Sequence, residues 1–152
     1  MLTTAELLFG GYFGLFLTAF LAATLVPLSS EAILATLSAA DGFDIAILFA
    51  VATLGNTLGA VVNWTLGRFC LHWQDRSWFP FTAEQLVRAG NRFRRYGLWS
   101  LLLAWLPVVG DPLTFAAGVL RVRFLPFLVL VGLGKGARYA AVLSVAQGVF
   151  GA

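Results

Sequence analysis

Charge is what this chain has least of. Of its 152 residues, 11% are charged and 60% are hydrophobic, whereas a soluble domain carries about 25% charged and about 45–50% apolar residues. The scarcity is concentrated. Residues 7–30 and 45–67 hold no charge at all, and each run is long enough to cross about 30 Å of hydrocarbon as a helix. A soluble globular fold is thereby excluded. Cysteine is nearly absent too: Cys70 stands alone, which excludes an intrachain disulfide and a multi-cysteine metal centre. Cys70 and His72, the lone histidine, are two ligands and too few for zinc. No metal and no cofactor is expected. No basic residue precedes the first apolar run, and Glu6 does. A cleavable signal has a positive n-region, so this run reads as a retained helix. No serine–histidine–acid set exists, and Gly132 and Gly134 lack the strand–helix context of a dinucleotide loop. The expectation is a protein that is not an enzyme.

What is present is acid in the wrong place. Glu31 lies four residues after Pro27, and Asp111 lies four residues after Pro107 and just before Pro112, both within apolar sequence. A buried acid in lipid is costly unless paired or hydrated, which makes it a functional-site hypothesis by default. Proline breaks the helix ladder. Broken helix at membrane depth survives only where protein or a water-filled cavity covers it. Two such breaks predict a transporter-like cavity near the midplane.

Along the chain, residues 7–26 read as one helix stopped by Pro27, with Ser29 or Ser30 capping the next and Glu31 in its first turn. Residues 31–40 reach only about half a bilayer at roughly 1.5 Å per residue, so they read as a re-entrant or broken segment. Residues 41–44 form an acidic turn. Residues 45–67 are the cleanest span, with Gly55 and Gly59 as a GxxxG pair for tight packing against a broken segment. Asn56 and Asn63, seven apart, share a face that looks into the protein. Residues 98–106 and the apolar piece ending at Leu120 flank Pro107, Gly110 and Pro112 as a second re-entrant hairpin. The last span, 124–150, is interrupted at 132–139. Lys135 and Arg138 share one of its faces, either snorkelling to the interface or paired with Glu31 or Asp111. Proline followed by an acid and then by a glycine-rich helix with a basic residue, at Arg68 and Arg138, occurs twice. That hints at an inverted repeat.

Residues 68–97 hold six arginines against two acids, a local net of +4 within an overall +3. This marks a cytoplasmic loop by the positive-inside rule, with anionic lipid contact as a by-product. No recognition motif accompanies the charge, so nucleic acid is excluded as a partner. Residues 82–96 form an amphipathic surface helix, with Thr82 and Gln85 as a capping box and Glu84–Arg88 as an i,i+4 pair.

These residues together resemble a known family. Pro27 to Glu31, Gly55-Asn56-Thr57-Leu58-Gly59, Leu66-Gly67-Arg68, Arg95-Tyr96-Gly97, Trp105-Leu106-Pro107 through Pro112, Gly134-Lys135 and Arg138-Tyr139 occur in order over nearly the whole chain. In that order they are similar to the DedA/VTT membrane family, also called SNARE-associated Golgi proteins, in its small YqaA-type branch. The resemblance implies two re-entrant helices facing each other and a role in lipid homeostasis. Members move lipids or polyprenyl phosphate carriers, some with the proton gradient. The family's acid in the first re-entrant segment falls on Glu31. The arginines flanking its second proline are replaced here by Ala104 and Gly110.

The expected fold is all-α and polytopic: one integral membrane domain over residues 1–152, with two re-entrant or broken helices among transmembrane helices. It would sit in a bacterial inner membrane. The expected activity is flippase- or scramblase-like translocation of a lipid or lipid-phosphate carrier, with proton coupling as one form of it. Glu31, Asp111, Lys135, Arg138 and Arg68 would line the path. Pro27, Pro107, Gly110, Pro112, Gly55, Asn56 and Gly59 would shape it. Partners would be membrane lipids, an anionic headgroup or polyprenyl phosphate, and a second copy of the chain. The alternative is a structural or accessory membrane protein without transport.

Overall fold

Thr3 begins the first helix by accepting from the Glu6 backbone while the Glu6 side chain accepts from the Thr3 backbone. This capping box starts α1 at Thr4–Ala22, earlier than the apolar run alone indicates. The computed structural model describes residues 3–23, 30–69, 76–77, 81–107 and 109–150. Pro27, Ser29, Cys70 and His72 lie outside the described residues. Next come α2 (Ser30–Ser38) and α3 (Ile45–Phe69). They are joined by a turn in which Gly42 takes φ +91° and Asp44 Oδ1 accepts from the Ile47 backbone. The amphipathic helix α4 (Ala83–Tyr96) opens on the Thr82–Gln85 box. A 3-10 stretch, Gly97–Trp105, leads to α5 (Gly110–Val119) and α6 (Phe124–Phe150). The chain is all-α, and α1, α3 and α6 are long and apolar enough to cross a membrane. Their outward faces carry Phe9, Phe13, Leu54, Leu58, Leu133 and Val145. Such surface suits lipid.

The contact register decides the topology. A Cβ on Gly55 would lie 2.6 Å from the Phe16 carbonyl oxygen, and one on Gly59 2.5 Å from that of Phe20. The Tyr12 hydroxyl accepts from the Asp44 backbone at 2.9 Å. Rising numbers on α3 therefore meet rising numbers on α1, and the two helices are parallel. Consecutive long helices run parallel only if the chain returns between them. That return includes α2, nine residues or about 13 Å long. The second half repeats the arrangement. Gly134 faces the Leu102 carbonyl, and Arg138 Nη1 donates to the Trp105 carbonyl at 2.8 Å. The 3-10 stretch is thus parallel to α6, and α5 runs back between them.

The halves are mutually inverted. Gly132 meets Thr57 and Gly136 meets Thr53, so α3 and α6 are antiparallel. Each short helix then packs on the other half's long helix. Ser30 on α2 bonds Tyr139 on α6. On the other side, Thr114 on α5 accepts from Asn63 on α3. The apolar core divides the same way. One cluster holds Leu15, Leu34, Leu48 and Leu143; the other holds Leu101, Leu113, Phe127 and Val131.

Several local expectations are corrected. Gly55 and Gly59 pack on the intact helix α1, not on a broken segment. The closest helix approach to a re-entrant segment is made instead by Gly67 against the Phe115 carbonyl and Gly118 against the Trp64 carbonyl. Pro112 does not break the chain. It lies in the first turn of α5, where a missing N–H costs nothing. Gly110 is the first helical residue, against the Ala104 carbonyl. α6 runs unbroken through residues 132–139, because glycine in a lipid-embedded helix permits close packing rather than ending the helix. The first arm of the second hairpin is the 3-10 stretch Gly97–Trp105, with Leu106 as its cap. α5 ends with the Val122 N–H on the Ala117 carbonyl and the Arg121 N–H on that of Gly118. This is a Schellman closure that places Arg121 at φ 55°.

Candidate functional site

The inverted halves bring their polar residues to one seam. Asn56 is on α3, Lys135 and Tyr139 are on α6, and each is buried among apolar neighbours. Burial without partners would cost several kcal/mol per group, and all three are partnered. Lys135, 4% exposed, donates to Asn56 Oδ1 and lies 3.9 Å from Asp111 Oδ1. Asn56 Nδ2 donates to the Tyr139 hydroxyl at 2.7 Å. That hydroxyl, on a ring fully shielded from solvent, is 2.9 Å from Ser30 Oγ. Next to Ser30, Glu31 is ion-paired with Arg138. The result is one polar chain: Asp111, Lys135, Asn56, Tyr139, Ser30. It joins the first turn of α5 to the first turn of α2, where the Glu31–Arg138 pair adjoins it. Its interior is buried. Its acids are not: the Asp111 side chain is 33% exposed and that of Glu31 31%.

Lys135 and Arg138 do not snorkel; each takes the acid nearest its own turn of α6. Asn63 donates to the Ala23 carbonyl at 2.7 Å, holding the end of α1 against α3. Pro107 lies in the bend between the 3-10 stretch and α5. Arg68 stands apart. It is exposed at the end of α3, its guanidinium 5.2 Å from the centroid of the Trp64 ring. Sequence reasoning gave Ser30 a capping role and Tyr139 none. Their contact spans 109 positions, and only the inverted repeat, if taken at face value, would have pointed to it. Among the described residues no cluster of histidine, cysteine and acid is placed to hold a metal.

A model of the VTT domain matches residues 26–147. The chain belongs to the VTT domain (DedA) family. Among VTT-type relatives, the inner membrane protein YqaA of Escherichia coli K12 is 39% identical over 132 residues, covering 86% of this chain and 87% of that protein. A Haemophilus influenzae protein is 37% identical over 136 residues, covering 85% and 83%. Undecaprenyl phosphate transporter A of Staphylococcus aureus is 27% identical over 135 residues, covering 82% and 66%. No solved structure matches. With three apolar helices of spanning length and an inner-membrane relative, this VTT chain is an integral membrane protein of the inner-membrane type. Its named relatives are membrane proteins or transporters.

Proposed function

We propose that this VTT protein moves a lipid or lipid-phosphate carrier across the bilayer. The observation that carries the reading is the buried polar chain between two half-depth helices of opposite direction, with an acid at or beside each end. A static fold needs no lysine at 4% exposure. Replacing a buried ion pair by apolar residues is often neutral or stabilising. Alternating access rocks one inverted half against the other around a polar site at their interface, and a buried charged seam between the halves fits such a site. The S. aureus relative's name, an undecaprenyl phosphate transporter, supports a polyprenyl phosphate as cargo. Glu31 and Asp111 would carry protons where transport is gradient-driven, and their protonation would free Arg138 and Lys135, their ion-pair partners, to attract the anionic headgroup.

The test is transbilayer movement of fluorescent phospholipids and of a polyprenyl phosphate in proteoliposomes of the purified protein, with and without a pH gradient. Movement of either lipid above protein-free liposomes is expected, faster for the polyprenyl phosphate. No movement of any lipid by demonstrably folded protein would contradict the proposal.

One observation favours a second reading, a structural or accessory subunit: both acids already have cationic partners. On that reading their neutralisation lowers folded yield and thermal stability and has no separate effect on lipid movement.

A further inference from the structure

Every half-buried or buried charge in the polar seam has a counter-ion: Glu31 with Arg138, and Asp111 with Lys135. Arg92 does not. It is the half-buried arginine of α4, where Arg88, Arg94 and Arg95 are exposed. Among the described residues Arg88 pairs with Glu84 and Arg94 bonds Asn91, while no ion pair or hydrogen bond is formed by the Arg92 side chain. Arg92 lines a cleft of about 70 Å³ between α4 and the head of α5, together with Gln85, Arg88, Ala89, Val109 and Pro112. Two arginines one helical turn apart therefore line the cleft, Arg92 unpartnered and Arg88 paired with Glu84. Pro112 offers no N–H, so the donors lining the cleft are side chains, the two arginines and the Gln85 amide. A half-buried cation without a partner leaves donors to satisfy, and a guanidinium presents a planar fork of donors matched to phosphate oxygens.

We infer that this cleft binds a phosphate group, with Arg92 as the principal cation and Arg88, swung from Glu84, as the second. Pro112 follows Asp111 directly, so a phosphate here is held at one end of the polar chain. The inference deepens the transport reading and rests on it for the role of the bound headgroup, but binding is measurable without transport.

The experiment is titration of the intact protein in uncharged detergent, followed by native mass spectrometry. The probes are phosphatidate, phosphatidylcholine, a polyprenyl phosphate and inorganic phosphate. Phosphomonoester lipids are expected to bind about tenfold or more tightly than phosphatidylcholine, and Arg92→Gln to lose about tenfold of that affinity. Arg92→Lys should retain part of it, and Arg94→Gln should change it less than about twofold. Competition by inorganic phosphate would identify the phosphate itself as the ligand; lipid binding without such competition would identify the membrane headgroup. Unchanged binding in Arg92→Gln and in Arg88→Gln/Arg92→Gln overturns the site, and so does an equal loss in Arg94→Gln. Lipid movement in the same preparations separates the two claims. Arg92-dependent binding without movement removes the transport reading and leaves the site standing.

Discussion

Tyr139 is the residue on which the two halves meet. Its hydroxyl accepts from Asn56 on α3 and bonds Ser30 on α2, from a fully buried position on α6. Tyr139→Phe keeps the ring and strands two buried polar groups. An unsatisfied buried donor costs about 1–3 kcal/mol, so thermal unfolding in detergent should show a lower midpoint for this variant. Tyr12→Phe should cost less, because the N–H it would release belongs to Asp44 in an exposed turn. A Tyr139→Phe midpoint equal to wild type would show that the polar chain is not a stable feature of the fold. Asp111 carries a different weight. Its removal leaves Lys135 buried with only Asn56 as partner, so an Asp111 variant is expected to lose stability as well as function. Glu31, facing Arg138 in a pair that is partly solvated on both sides, should be the milder substitution structurally.

At the scale of the element, the short helix α5 is held to α3 by two reciprocal glycines. A Cβ on Gly67 would collide with the Phe115 carbonyl and one on Gly118 with the Trp64 carbonyl. Gly118→Ala must push α5 away from α3 or bend it, at about 1–3 kcal/mol for an overpacked contact. Gly14→Ala on α1 has nothing within 4 Å and should be neutral or gain up to about 1 kcal/mol of helix propensity. The pair is checked by thermal melts run side by side. Equal midpoints for the two variants would contradict the close α3–α5 approach. The element scale also shows what sequence can and cannot convey. The Thr82–Gln85 capping box, the Glu84–Arg88 pair and the long span α3 follow from local rules, and the paired residues are three or four positions apart; the Thr3–Glu6 box is as local but lies ahead of the apolar run that marks α1. The unbroken course of α6 does not. Its glycines read as breakers by soluble-protein habits, whereas their partners, the Leu102 carbonyl and Thr53, are distant in sequence.

For the whole molecule, the decisive fact is that α1 and α3 are parallel. The N-terminal end of α1 then lies on the same side as the 41–44 turn, and α4 lies with Arg68, Arg121 and Arg123 on the other. Hydropathy gives span lengths but not this return, because α1 alone is long enough to cross. The acids after Pro27 and Pro107 were legible as anomalies in the sequence. Their partners were not, since Asp111–Lys135 and Glu31–Arg138 could be exchanged without changing any local pattern. The inverted halves decide between the pairings. In a Cys70→Ser background, single cysteines at Asp41 and at Arg94 are expected to label from opposite sides of the membrane in intact cells. With the arginine-rich side cytoplasmic, Asp41→Cys reacts with an impermeant maleimide added outside, and Arg94→Cys reacts only after permeabilisation. Labelling of both from the same side would overturn the topology.

The central claim is that the acids at the two re-entrant helices work in lipid movement and not only in holding the fold. The most direct measurement is the rate of polyprenyl phosphate movement in proteoliposomes containing wild type, Glu31→Gln or Asp111→Asn, normalised to monodisperse, folded protein. The account predicts that both variants lose about tenfold or more of the wild-type rate per folded molecule. Wild-type rates from both would contradict it and leave Glu31 and Asp111 as structural ion-pair partners.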